Sequence, residues 1–187
     1  MNKGRVIVIL GPSGVGKTTI CKRILRHRPD VCFSISATSR PKRKDEKNHR
    51  EYIFLSEKEF KEWIEKGCFI EYAEVHSNLY GTPKKSLEET LKKGHHVLLD
   101  VDVQGAMNLM KLYPNGIYFF IVPPGMHELE KRLKKRDTDE KSTIKKRLVN
   151  AIEEFKHVGK FKYVIENRTL NEAVSKILSI IEREIST

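Results

Sequence analysis

Residues 11–18 read Gly-Pro-Ser-Gly-Val-Gly-Lys-Thr, completing the pattern Gly-x-x-x-x-Gly-Lys-Ser/Thr. The apolar run Val6-Ile7-Val8-Ile9-Leu10 precedes it, and a helix-forming pattern opens near Lys17. That setting matters, because such a loop works between a buried strand and the N-terminus of a helix. Gly11, Gly14 and Gly16 let the backbone turn its N–H groups inward around phosphate oxygens. Lys17 can then reach the β- and γ-phosphates, and the Thr18 hydroxyl can ligate Mg²⁺. The stretch predicts binding of a nucleoside triphosphate.

The rest of the composition sets bounds on that reading. With 187 residues, 39% hydrophobic and 33% charged, the chain can build a substantial core without disulfides. No stretch approaches the roughly 20 apolar residues of a membrane span. The N-terminal residues run directly into the first strand, which leaves no room for a secretory leader and predicts a cytoplasmic protein. Cys21, Cys32 and Cys68 are odd in number and lack a Cys-x-x-Cys spacing, as expected of free thiols in a reducing compartment. The net charge of +11 suits either a nucleic-acid surface or an anionic small substrate. Many lysines alternate with glutamates, as in Ser56-Glu57-Lys58-Glu59 and Glu128-Leu129-Glu130-Lys131. Such interleaving favours solvated helix faces over a nucleic-acid groove, so no stable nucleic-acid partner is expected.

Apolar runs and helical periods alternate along the chain, the mark of an α/β fold with a mainly parallel sheet. Strands are expected at 5–10, 32–35, 52–54, 69–75, 97–101, 117–122 and 163–165. Helices are expected at 17–27, 56–66, 84–93, 104–112, 127–135, 143–157 and 170–185. Ser56 and Glu59 form a capping box for the second helix. Residues 40–50 are basic and aperiodic, hence a loop. Two segments interrupt the rhythm, at about 36–83 and 136–146. In a phosphotransferase an acceptor pocket and a closing lid occupy such insertions.

Three groups of residues carry chemistry. Asp100 closes the buried strand Val97-Leu98-Leu99, where an acid can join Thr18 in holding Mg²⁺; Asp102 follows it. Arg40 and Arg43, with nearby hydroxyls and Tyr52, can clamp a phosphate through forked, charge-assisted bonds. Glu71, followed by Tyr80-Gly81-Thr82, could accept two parallel N–H bonds, as the guanine edge offers and adenine does not. Spacing alone does not select guanine.

On these residues the chain resembles the guanylate kinases. The likeness is collinear from Gly11–Thr18 through Phe33-Ser34-Ile35-Ser36-Ala37-Thr38-Ser39-Arg40, Phe69–His76 and Tyr80-Gly81-Thr82-Pro83. It continues in Leu98-Leu99-Asp100-Val101-Asp102-Val103-Gln104-Gly105, Pro123-Pro124 and Leu129–Leu133. The resemblance implies a parallel sheet of the P-loop NTPase type flanked by helices, with an inserted nucleotide-monophosphate-binding subdomain and a short lid. The implied single domain has a core of 1–35, 84–135 and 147–187, a GMP-binding insertion at about 36–83 and a lid at about 136–146. The implied reaction is reversible transfer of the ATP γ-phosphoryl group to GMP, in purine nucleotide metabolism, with Mg²⁺ as cofactor.

The same resemblance assigns roles. ATP would lie on Gly11, Pro12, Ser13, Gly14, Val15, Gly16, Lys17, Thr18 and Thr19, with Asn167 beside its adenine. Arg40, Arg43, Tyr52 and Tyr80 would hold the GMP phosphate; Ser36, Glu71 and Thr82 would read the base, with Asp102 nearby. Thr18 and Asp100 would hold the metal. Lys17, Arg43, Arg136 and Arg147 would supply the catalytic cations; Arg132 stays undecided. The acceptor oxygen is already ionised at neutral pH, so no general base is required. ATP and GMP are the expected partners, and the chain is expected as a monomer or homodimer.

The chain departs from the family at three points. Asp45 and His49 stand where relatives carry loop glycines, Asp137 follows the lid arginine where glycine is frequent, and Leu79 replaces a tyrosine. Three rival readings remain: a scaffolding module that keeps the fold and binds peptides, a kinase of another phosphorylated acceptor, and a basic nucleic-acid-binding protein. Retention of Gly16, Lys17, Thr18 and Asp100 argues against the first, and Glu71 with Ser36 and Thr82 against the second.

Overall fold

β1 (Val6–Leu10) is buried at every position, as a strand must be when both faces of a parallel sheet are covered. A computed structural model describes residues 4–75, 77–134 and 141–186. In it a five-stranded sheet runs in the order β2-β7-β1-β8-β9, where β2 is Val31–Phe33, β7 His96–Asp100, β8 Ile117–Val122 and β9 Tyr163–Glu166. The pairs β2–β7, β1–β8 and β8–β9 are all parallel. The expected α/β alternation is present.

By contact density the chain forms two compact units: residues 1–6, 30–99 and 104–116, and residues 7–29, 100–103 and 117–187. In the second unit α1 (Lys17–His27) buries Ile20, Cys21 and Ile24, one stripe of its helical period. It packs against α7 (Leu170–Ile185), which buries Ala173, Val174, Ile177 and Ile181 on one face. Thr169 caps α7 by accepting a bond from the Glu172 N–H. Leu129 and Leu133 of α5 (Met126–Lys134) close on Ala151 of α6 (Lys141–Phe155), with Ile144, Leu148 and Phe155 around them.

The first unit holds β2, β7, α3 (Lys84–Lys92), α4 (Val103–Leu112) and a second sheet. That sheet has the order β4-β3-β6-β5, with β3 Ala37–Thr38, β4 Ile53–Phe54, β5 Phe69–Val75 and β6 Asn78–Pro83. β6 pairs antiparallel with both β3 and β5. The capping box at Ser56 forms as expected: Ser56 N–H donates to the Glu59 carboxylate and Glu59 N–H to the Ser56 hydroxyl, opening α2 (Glu57–Glu65). α2 then lays Phe60 against Phe69 of β5, the rings 4.5 Å apart.

Two strands went unread in the sequence. β3 is only two residues long, below the length at which alternation shows. β6 reads Asn-Leu-Tyr-Gly-Thr-Pro, poor in β-formers. It is a strand because tertiary packing overrides propensity: the Gly81 position lies against the Phe69 and Phe60 rings, where an added Cβ would come within 2.8 Å of Phe69.

Candidate active site

The phosphate-binding loop lies between β1 and α1, where the sequence placed it. Gly16 takes φ 104° and Gly11 φ 131°, both in the region that disfavours a side chain. A Cβ on Gly16 would lie 2.7 Å from the Asn167 amide nitrogen, and one on Gly11 2.3 Å from the Ile121 carbonyl. The Lys17 ammonium donates to the Gly11 carbonyl at 2.6 Å and the Pro12 carbonyl at 3.4 Å, so the loop itself holds the cation at the mouth of its cradle. Thr18 and Thr19 are exposed on the first turn of α1.

Asn167, expected beside the adenine, is 6% exposed and braces this loop. Its side-chain N–H donates to the Val15 carbonyl at 2.8 Å, its backbone N–H to the Val122 carbonyl at 2.8 Å. The Asn167 carbonyl accepts from Arg132 at 3.1 Å, while Arg132 also pairs with Glu128 at 2.9 Å. Arg132 is therefore a strut behind the loop.

Asp100 is half-buried at the end of β7, and the Val101 N–H to Ile9 carbonyl bond (3.3 Å) holds the chain after it alongside β1. Cys21 registers its charge. Burial pushes that thiol well above its ordinary value, Asp100 adds to the shift, and Lys17 opposes it. Thr18 and Asp100 together offer hard oxygen donors, the set that suits Mg²⁺. Asp102 is half-buried just before α4.

On α6, Arg147 is half-buried, and Glu154 follows two helical turns later on the same face. One Glu154 carboxylate oxygen is buried with no hydrogen-bond partner among the described residues. Burial pushes its carboxyl up, the Lys17 cation opposes this, and Asp102 adds to it. Glu154 was missed in the sequence; its one signal is an acid on the face that carries Arg147. Arg136 and Asp137 lie outside the described residues.

Most of the residues expected to bind the acceptor lie in the first unit. Glu71 and Thr82 are directly opposite in the β5–β6 register, and the Thr82 hydroxyl donates to the Glu71 carboxylate at 2.6 Å. Thr82 is fully buried and Glu71 only 8% exposed. A buried carboxylate is costly without donors, so this pair marks a place built for hydrogen bonds. Ser36 is half-buried, its carbonyl accepting from the Ile53 N–H at 2.9 Å. Asp102 belongs to the other compact unit.

Tyr52 and Tyr80 meet edge to face, with ring centroids 5.9 Å apart. Arg40 stacks over Tyr52 at 5.4 Å and Phe54 at 5.6 Å. Its guanidinium donates twice to Glu46, at 2.8 and 3.0 Å, and once to the Pro41 carbonyl at 2.7 Å. Burial works against the Arg40 cation, but the Glu46 carboxylate and the Tyr80 hydroxyl outweigh it and raise its pKa further. The Arg43 side chain is exposed, while its backbone N–H donates to Glu46 at 2.8 Å. Glu46 was also missed: a single acid in a basic, aperiodic loop gives no local signal of its role. In the same loop His49 takes φ 61°, a left-handed conformation that suits glycine.

A family model described as guanylate kinase matches residues 3–184. The chain is 44% identical to a guanylate kinase of Caldanaerobacter subterraneus subsp. tengcongensis, over 97% of this chain and 88% of that one. It is 41% identical to that of Thermotoga maritima over the same shares. The crystal structure of guanylate kinase from Anaplasma phagocytophilum matches with a TM-score of 0.83 and 34% identity, covering 98% of this chain and 87% of the other. A family model over almost the whole length and relatives more than 40% identical show that the chain belongs to the guanylate kinase family.

Proposed function

We propose that the chain carries out its family's reaction, transfer of the γ-phosphoryl group of ATP to GMP, with a specific division of labour among its residues. ATP binds along Gly11–Thr19 with Asn167 at its base. Arg40, Arg43, Tyr52 and Tyr80 hold the GMP phosphate, while Ser36, Glu71 and Thr82 read guanine. The buried Glu71–Thr82 pair carries this reading: a sugar phosphate needs no base reader, whereas the guanine N1–H and amino group supply donors to a carboxylate.

The chemistry is positioning and charge stabilisation. One P–O bond forms at an acceptor oxygen already ionised at neutral pH, and one breaks at the ADP leaving oxygen, so no protein base is needed. Lys17, Arg43, Arg136 and Arg147 neutralise charge on the transferring group. Thr18 and Asp100 would hold Mg²⁺, which when bound neutralises phosphate charge. The insertion at about 36–83 is the expected acceptor segment and about 136–146, of which 136–140 lie outside the described residues, the expected lid. We place the enzyme in the cytoplasm as a monomer or homodimer; no described helix is long and apolar enough to cross a membrane.

The test is ADP production from Mg·ATP with GMP, AMP, CMP, UMP and dTMP offered separately. Turnover confined to GMP supports the assignment. Folded protein that binds ATP yet turns over none of them refutes it.

A further inference from the structure

We propose that Glu46 is a positioning residue of the acceptor site, whose carboxylate frames the Arg40 guanidinium and leaves one chosen edge of it for the incoming phosphate. The inference rests on the reading of Arg40 as part of the phosphate clamp. A guanidinium has five N–H donors and offers carboxylates or phosphates two usable edges, the terminal pair and the side formed by Nε with Nη2. Glu46 takes the terminal pair, bonding Nη1 at 3.0 Å and Nη2 at 2.8 Å. The second hydrogen on Nη1 goes to the Pro41 carbonyl at 2.7 Å. What remains is the Nε–Nη2 side.

Stacking fixes the remaining freedom. Tyr52 and Phe54 face the Arg40 cation at 5.4 and 5.6 Å, so rotation out of the Glu46 plane would break both contacts. The pair is largely shielded, with 13% and 14% side-chain exposure for Arg40 and Glu46, unlike the solvated ion pairs elsewhere on this surface. Glu46 is itself tied down. It accepts from the Arg43 backbone N–H at 2.8 Å and donates its own N–H back to the Arg43 carbonyl at 3.2 Å. One carboxylate thus sets the Arg40 fork and closes the turn that carries Arg43. A pre-set fork binds phosphate without first losing rotamer freedom.

The experiment compares GMP with guanosine, which lacks only the phosphate, by calorimetric titration of wild type, Glu46→Ala, Glu46→Gln and Arg40→Ala. We expect both Glu46 variants to weaken GMP by about tenfold, the size of loss typical when a group that holds a ligating residue is removed. Guanosine affinity and the KM for ATP should stay at wild-type values. Arg40→Ala should lose at least as much GMP affinity, and adding Glu46→Ala to it should cost nothing further. If Arg40→Ala weakens GMP while both Glu46 variants bind it normally, the positioning role is overturned and the clamp survives. Equal losses for GMP and guanosine would overturn it in favour of a structural role. Tighter GMP binding in Glu46→Ala would overturn it too, by making the carboxylate a competitor for the fork. If no variant moves GMP affinity, the clamp reading itself falls, and this inference with it.

Discussion

Replacing Thr82 with valine isolates one hydrogen bond at the heart of the proposed base site. Valine matches threonine in shape, so no cavity opens at a position that is fully buried. What is lost is the 2.6 Å donor to Glu71, a carboxylate that is itself 8% exposed and has little water to turn to. A hydrogen bond to a charged group contributes about 1.5–3 kcal/mol. For a chain of this size each kcal/mol moves the melting temperature by about 2–4 °C, so Thr82→Val should melt roughly 3–12 °C lower.

The same change should weaken GMP, because the hydroxyl holds the Glu71 carboxylate at the angle that guanine would meet. We expect about a tenfold loss, near 1.4 kcal/mol, with ATP binding unaltered. Thr82→Ser is the control. It keeps the donor and deletes a methyl, costing about 1 kcal/mol of burial, and should bind GMP normally. Thermal melts and GMP titrations of the three proteins decide the matter. Thr82→Val that melts and binds GMP like wild type would refute the claim that Glu71 depends on Thr82.

Further tests address the donor site and the core. Gly16→Ala puts a side chain at φ 104°, costing about 1–2 kcal/mol, and drives its Cβ to 2.7 Å from the Asn167 amide. ATP affinity should fall about tenfold or more as the loop loses its cradle; wild-type ATP affinity would refute the brace assigned to Asn167. Glu154 offers a pH test without nucleotide or metal. Its folded-state carboxyl is raised, by burial first, with Lys17 opposing and Asp102 adding, so the folded state holds its proton more tightly than the unfolded chain. That contribution is complete below the unfolded carboxylate value of about 4.3 and is lost as pH climbs through the raised value. The stability of Glu154→Gln relative to wild type should therefore grow with pH across that window, and parallel curves would show that Glu154 is not desolvated. Cys21 is buried, whereas Cys32 and Cys68 are partly accessible. A thiol reagent should modify the latter two in native protein and Cys21 only on unfolding; full labelling of the native chain would contradict the packing of α1.

How much of this was legible depended on whether the information was local. The loop at 11–18, the buried β1 and the Ser56 cap declare themselves within a few residues, because turn geometry and capping are short-range physics. Glu71 and Thr82 were named as base readers, but their facing positions were not readable: they are a cross-strand pair made by β6, whose Asn, Gly and Pro hide its strand character. Asn167 was placed by resemblance at the adenine, yet its side-chain bond to Val15 joins residues at opposite ends of the chain.

Glu46 shows the limit most clearly. In sequence it is one acid in a basic, aperiodic loop, and such an acid is usually a solvated counter-charge. Only the fold shows two side-chain bonds to Arg40 and one from the Arg43 backbone converging on it. His49 makes the complementary point. It is not a glycine, yet its backbone sits at φ 61°, in the region that disfavours a side chain. A bonded loop can impose a left-handed residue because the strain, about 1–2 kcal/mol, is smaller than what surrounds it. Asn48 accepts from the His49 and Phe54 N–H groups at 3.1 and 3.0 Å, and His49 N–H also reaches the Tyr52 carbonyl at 2.9 Å. The loop's own hydrogen bonds, which include those of Glu46, dictate the turn, and the residue at 49 conforms to it.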